Sequence, residues 1–250
     1  RRVRFVQSND FLLFEGNSKG GRLFNSIYQY FFKISQKYQY HSVLFNSKYS
    51  LNSYNETLTS VQHYSINYII NPAVFTLKYE RNIGVYPKAR LIRVCIVTSA
   101  HPRKGYQQFL EIAKHSKLKG VNYIVISQDD LDSQLKNVTH VKPSSDSEYV
   151  DALKQCHFML STSTFEGFGL PLIEAMALGV VPIAFYNPGM DEYNTDKNIS
   201  IIENTVEFDN IINKIVNIDN SYIKLSSSVI KSASVFTTQT FFFSIMDKIK

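Results

Sequence analysis

Tryptophan is absent from the 250 residues, cysteine occurs only at Cys95 and Cys156, and charged residues make up only 19% of the chain. Two cysteines without metal-type spacing exclude a disulfide framework and a zinc module, and they fit a reducing cytoplasm. No run approaches the roughly 20 apolar residues that a membrane helix needs. The opening Arg1-Arg2-Val3-Arg4 leads into no apolar core of the signal type. A soluble protein is therefore expected, with at most a peripheral place at a membrane face. Lys and Arg number 27 against 21 Asp and Glu, a net charge of +6. These basic residues are scattered rather than gathered in a stripe, so nucleic acid is not an expected partner. The 6 histidines are dispersed and suggest no metal site. Internal repeats and low-complexity tracts are lacking as well.

What the chain does have is apolar bulk. It is 44% hydrophobic, with 18 Phe and 16 Tyr whose rings each bury more area than an aliphatic side chain. One large domain or two small ones can form a core at this length. The texture changes once. Up to about residue 85 the chain is rich in Tyr, Phe, Asn and Ser, with strands predicted at 3–7, 42–45 and 66–70 and an aromatic helix at 23–37. A loop at 15–21 carries Gly16, Gly20 and Gly21, and residues 79–88, with Pro87 among charges, read as a linker. From about residue 90 apolar runs of strand length alternate with helical stretches, the pattern of βαβ units and a parallel sheet. Strands are predicted at 94–98, 123–126, 157–160 and 180–184. Helices are predicted at 106–115, 147–155, 172–178, 209–216, 221–233 and 238–249. Gly179 stands where a helix C-terminal cap belongs.

The most informative stretch is Ser161-Thr162-Ser163-Thr164-Phe165-Glu166-Gly167-Phe168-Gly169-Leu170-Pro171-Leu172-Ile173-Glu174. It leaves an apolar strand, crosses two glycines that allow close backbone approach, and enters a helix whose first turn presents N–H groups and a positive dipole end. At the carboxyl edge of a parallel sheet such a turn binds phosphorylated ligands. On residue chemistry alone, Glu166 can equally be a helix-start charge and Glu174 an exposed helix residue. A second stretch, Ser99-Ala100-His101-Pro102-Arg103-Lys104-Gly105-Tyr106, sets Arg103 and Lys104 just before another helix, where they read either as anion contacts or as plain loop charges.

The first string resembles the donor-site signature of retaining glycosyltransferases of the GT-B fold (glycosyltransferase group 1, family 4 type). That signature has two glutamates separated by seven residues around a Gly-Phe-Gly-Leu-Pro core, and here it continues into Ala175-Met176-Ala177-Leu178-Gly179 and an apolar strand. The likeness covers roughly residues 65–250. It implies an α/β protein with a doubly wound, Rossmann-type nucleotide-sugar-binding domain at 86–250 and a smaller, incomplete N-terminal α/β portion at 1–85 on the acceptor side. Carried over by position, Glu166 lies by the donor sugar and Glu174 holds the ribose hydroxyls. Gly167, Phe168, Gly169 and Leu170 face the diphosphate or the sugar through their amides. The family commonly neutralises the departing diphosphate with an Arg, four residues, then Lys-Gly. Lys104-Gly105 keeps the second part, whereas Ser99 stands at the Arg position and Arg103 is left to supply the charge from a different backbone position. Residues 138–143 lie, by the same likeness, beside the base, residues 68–75 form the crossing between domains, and Asp191-Glu192 after Pro188-Gly189 is an acidic helix start.

The family's opening glycine-rich loop has no counterpart, and Gly16, Gly20 and Gly21 read instead as a surface loop. The resemblance implies transfer of a sugar from a nucleotide diphosphate sugar to an unidentified sugar, lipid or protein acceptor, with retention and with no metal or other cofactor. A partner chain or an upstream region is expected to complete the site, so the chain alone is expected to be a poor transferase. The alternative is a non-catalytic nucleotide-sugar-binding module, or one half of a split or longer glycosyltransferase.

Overall fold

Apolar runs bounded by turn residues become two parallel sheets in the computed structural model, which describes residues 3–6, 42–57, 66–79, 91–218 and 220–249. The smaller sheet has the order β1-β2-β3, from β1 (Val3–Val6), β2 (Ser42–Phe45) and β3 (Ile66–Ile69). Its register sets Phe5 beside Leu44 and Leu44 beside Tyr68. Helix α1 (Lys48–Thr57) follows β2 and lays the Tyr54 ring edge-on to Phe45, centroids 5.0 Å apart.

The larger sheet is parallel throughout, in the order β6-β5-β4-β7-β8-β9. Its strands are β4 (Ile92–Val97), β5 (Val121–Ile126), β6 (Val138–Val141), β7 (Phe158–Ser161), β8 (Val181–Ala184) and β9 (Ser200–Ile201). The helices are α2 (Tyr106–His115), α3 (Asp146–Lys154), α4 (Leu170–Ala177), α5 (Thr205–Asn217), α6 (Ser221–Ala233) and α7 (Thr238–Ile249). Because side chains alternate along a strand, Cys95 faces one core with Met159, Ile173 and Val229, while Val94 and Ile96 face another with Phe109, Phe158 and Phe208. Both faces are covered by helices, as a parallel sheet requires. The strand order runs outward in both directions from β4 and β7, so the crevice at the carboxyl ends of these two strands is a topological switch point.

The predicted α/β organisation holds, and α2, α6, α7 and β2 fall on their predicted bounds. Helix α4 begins at Leu170, two residues early, since Pro171 is tolerated in a first helical turn. Helix α5 begins at Thr205, because the Asn204 side chain accepts from the Glu207 amide and caps it there. The expected strand at 157–160 starts one residue later, at Phe158. The buried His157 there accepts from the Arg93 amide through Nδ1, and burial pushes its pKa down to about 4, with Arg93 adding a smaller push. Three elements are new, α1, β6 and the short β9. The helix expected at 23–37, the glycine loop at 15–21 and residues 80–88 of the linker lie outside the described residues. Among the described residues no helix is long and apolar enough to cross a membrane.

Gly105 fixes how closely the two switch-point loops approach. Its φ is +71°, and a Cβ added there would lie 2.0 Å from the Thr162 carbonyl oxygen. Thr162 Oγ1 in turn donates to the Gly105 carbonyl at 2.6 Å. Gly105→Ala should therefore lower stability by at least about 1–2 kcal/mol, the cost of a left-handed non-glycine residue alone, as read by urea unfolding.

Candidate functional site

The β4–α2 loop is tightened by its own polar groups. Thr98 Oγ1 donates to the Lys104 carbonyl at 3.1 Å, the Ala100 amide donates to Asp129 Oδ2 at 2.6 Å, and a 3₁₀ turn at Pro102–Lys104 ends on Gly105. Opposite it, the β7–α4 loop is pinned by the Thr164 amide and Ser163 Oγ, both donating to the Arg103 carbonyl at 3.0 Å. These bonds bring together two residues 62 positions apart in sequence: Lys104 Nζ lies 2.7 Å from Glu166 Oε1. The pair is part-buried, with side chains 37% and 16% exposed.

Arg103 points elsewhere. Its guanidinium lies over the Phe165 ring, 5.5 Å from the centroid, and Phe165 meets Tyr49 of α1 edge-on at 5.6 Å. Its Nη1 is buried without a hydrogen-bond partner among the described residues. The two basic residues of the loop therefore face different surroundings.

One glycine of the signature, Gly169, does steric work. Gly169 has φ +84°, and a Cβ there would lie 2.6 Å from the Tyr193 hydroxyl, which donates to the Gly169 carbonyl at 3.2 Å. Phe168 turns its ring inward against Tyr193 and Phe236, so only its backbone is left for the turn. Leu170 is the first residue of α4, where the amides lack partners within the helix. The Gly167 carbonyl accepts from Ser47 Oγ of the smaller sheet's side.

Glu174 lies one helical turn further in and is only 8% exposed, not the exposed helix residue that residue chemistry also allowed. Burial pushes its carboxyl up to about 7. The Tyr149 hydroxyl, donating to Oε2 at 2.8 Å, opposes that shift, and Asp146 adds a smaller upward push. Thr76 Oγ1 donates to the Glu174 backbone carbonyl at 2.9 Å, and Phe75 stacks on Tyr149, so the crossing segment packs on the Glu174 backbone and on the tyrosine that binds its carboxyl. Asp191 and Glu192 separate in role: Asp191 accepts from Tyr186, while Glu192 accepts from the Lys48 amide and from Asn71 Nδ2. Tyr149, Tyr193, Asn187 and Ser47 were not singled out from sequence. Of these only Asn187, before Pro188-Gly189, carried a local turn signal. Among the described residues no three His, Cys, Asp or Glu side chains cluster as metal ligands.

An unfolded Glu174 titrates near 4.5 and the folded one near 7, so between those values the folded state holds the extra proton. Stability conferred by the neutral carboxyl is thus present below about 4.5 and lost as pH rises through about 7. Glu174→Gln, which does not titrate, should lack a pH-dependent loss of the order of 3 kcal/mol that wild type shows. Denaturant unfolding of both proteins at pH 5 and pH 8 measures it.

The sequence matches the family model described as glycosyl transferases group 1 over residues 87–233. No curated protein is matched. Among solved structures, the chain is similar to a sucrose-phosphate synthase from Thermosynechococcus elongatus, with TM-score 0.74, 16% identity, and coverage of 99% of this chain and 66% of that one. It is similar to Anabaena HepE, solved with UDP and glucose, with TM-score 0.71, 17% identity, and coverage of 88% and 67%. It is also similar to S. aureus TarM, with TM-score 0.66, 19% identity, and coverage of 99% and 50%. The chain thus spans about half to two thirds of the length of these proteins. The likeness is one of fold, the GT-B architecture with its parallel sheets. With more than half of its residues inside the family model, the chain belongs to the glycosyl transferases group 1 family.

Proposed function

We propose that the crevice between β4 and β7 binds a nucleoside diphosphate sugar and that the protein transfers the sugar, with retention, to a sugar, lipid or protein acceptor. The observation that carries this reading is the Lys104–Glu166 pair at the switch point, with the buried Glu174 eight residues further along. In this reading Lys104 gives its ammonium to the diphosphate, whose charge grows as the glycosidic bond breaks. Glu166, released from the lysine, accepts hydrogen bonds from the donor sugar. The amides at the start of α4, beside Gly167, Phe168, Gly169 and Leu170, meet phosphate or sugar oxygens, and the α4 dipole favours the anion. Glu174 accepts from the ribose hydroxyls, as a carboxylate suits a vicinal diol.

Lys104 stands in the crevice while Arg103 of the same loop lies over Phe165, so in this reading the diphosphate is met by Lys104 and the first amides of α4, and no metal is called on. Residues 42–57 would then contribute to the acceptor side, since Ser47 and Tyr49 reach the signature turn. HepE is solved with UDP, which supports a nucleotide donor of that kind.

Calorimetry with a panel of uridine, guanosine and adenosine diphosphate sugars tests the donor. At least one should bind, and binding of none would remove the reading. Lys104→Ala should weaken the matching nucleoside diphosphate by about tenfold, as expected for a charge-assisted hydrogen bond, while leaving the nucleoside itself nearly unchanged. Equal weakening of both would make the lysine structural.

A further inference from the structure

Asn187 follows β8 and precedes the 3₁₀ segment Pro188–Glu192, and it is 3% exposed. An asparagine at that position ordinarily turns its side chain to cap the amides that follow. This one makes no capping bond, and its Oδ1 is buried with no hydrogen-bond partner among the described residues. Buried side-chain polar atoms are paired in the large majority of cases, so the exception calls for a reason.

The same side chain lines a cavity of about 10 Å³ together with Lys104, Glu166, Thr162 and Tyr193. That volume holds one oxygen-sized group. The turn carrying Asn187 is also clamped against the signature turn, because a Cβ on Gly189 would lie 2.4 Å from the Glu166 carbonyl oxygen. A carboxamide with an unpaired oxygen is thus held beside the Lys104–Glu166 pair by backbone packing.

We propose that Asn187 is a binding residue of the donor site, its carboxamide taking one hydroxyl of the transferred sugar that reaches into this cavity. The proposal rests on the donor reading given above and adds to it a residue that tells the sugar from the diphosphate. A hydroxyl both donates and accepts, so it satisfies the amide in either orientation. A phosphate oxygen only accepts, and it would leave Oδ1 unpaired. Lys104, which lines the same cavity, is engaged with Glu166 in the free protein.

The test uses calorimetry on wild type, Asn187→Leu and Asn187→Ala, with the tightest-binding nucleotide sugar of the panel, its monodeoxy analogues and its nucleoside diphosphate. Both variants should bind the nucleotide sugar about tenfold more weakly and the nucleoside diphosphate within about twofold of wild type. One monodeoxy analogue should bind wild type as weakly as the parent sugar binds the variants, and should lose nothing further in them. The melting temperature of Asn187→Leu should equal or exceed that of wild type, because an unpaired buried amide is removed. Equal losses for both ligands, no loss for either, or a lowered melting temperature with unchanged preference for the sugar would overturn the proposal and make the site a place for one structural water. If wild type binds the nucleoside diphosphate and its sugar equally, the sugar contact is refuted while the nucleotide site stands. If it binds neither, both readings fall.

Discussion

At the carboxyl ends of β4 and β7 two loop backbones come into contact, Gly105 against the Thr162 carbonyl, at a separation that admits no side chain. Every polar approach in the crevice follows from it. With the loops that close, Thr164 and Ser163 can reach the Arg103 carbonyl, and a lysine on one loop meets a glutamate on the other. Gly189 repeats the device on the far side, bringing the β8 turn onto the Glu166 backbone. The site is thus assembled from three loop backbones pressed together, with side chains filling what is left. Such close packing suits charge stabilisation, since groups fixed by backbone contact need no reorganisation when charge develops.

Among the described residues, specific polar contacts attach the smaller sheet to this assembly. Glu192 accepts from the Lys48 amide at the start of α1 and from Asn71 in the crossing segment. A carboxylate is favoured at a helix N-terminus by the dipole as well as by the hydrogen bond. Ser47 binds the Gly167 carbonyl directly, and Tyr49 packs against Phe165. The same turn that carries Glu166 is therefore also the turn on which the smaller sheet is seated.

How much of this could be read in the sequence depended on distance along the chain. Helix α2 was legible because a glycine opens it and its apolar residues Phe109, Ile112 and Ala113 fall on one face. Strand β6 was not, because Thr139 and His140 are exposed and no apolar run marks the strand. Helix α1 has few apolar residues among Ser, Asn and Lys, and its N-terminus is met by Glu192, 144 positions away, a contact no local pattern can show. Lys104 and Glu166 could be assigned to one site only because two separate motifs resembled one family's site, and their direct contact was not foreseen. The burial of Glu174 depends on Tyr149 and the crossing segment, so the spacing that singled it out said nothing of its pKa.

The crossing segment shows that sequence order and physical membership part company. Val74 lies in the core of the larger sheet, and its amide donates to the Phe236 carbonyl at 2.8 Å. Phe75 and Thr76 then cover α3 and α4. These few residues precede β4 by more than a dozen positions but behave as its last layer, a strap that runs from the smaller sheet across the backbone of Glu174 and the tyrosine that binds its carboxyl. A piece cut from this chain keeps Glu174 dry only if it carries that strap.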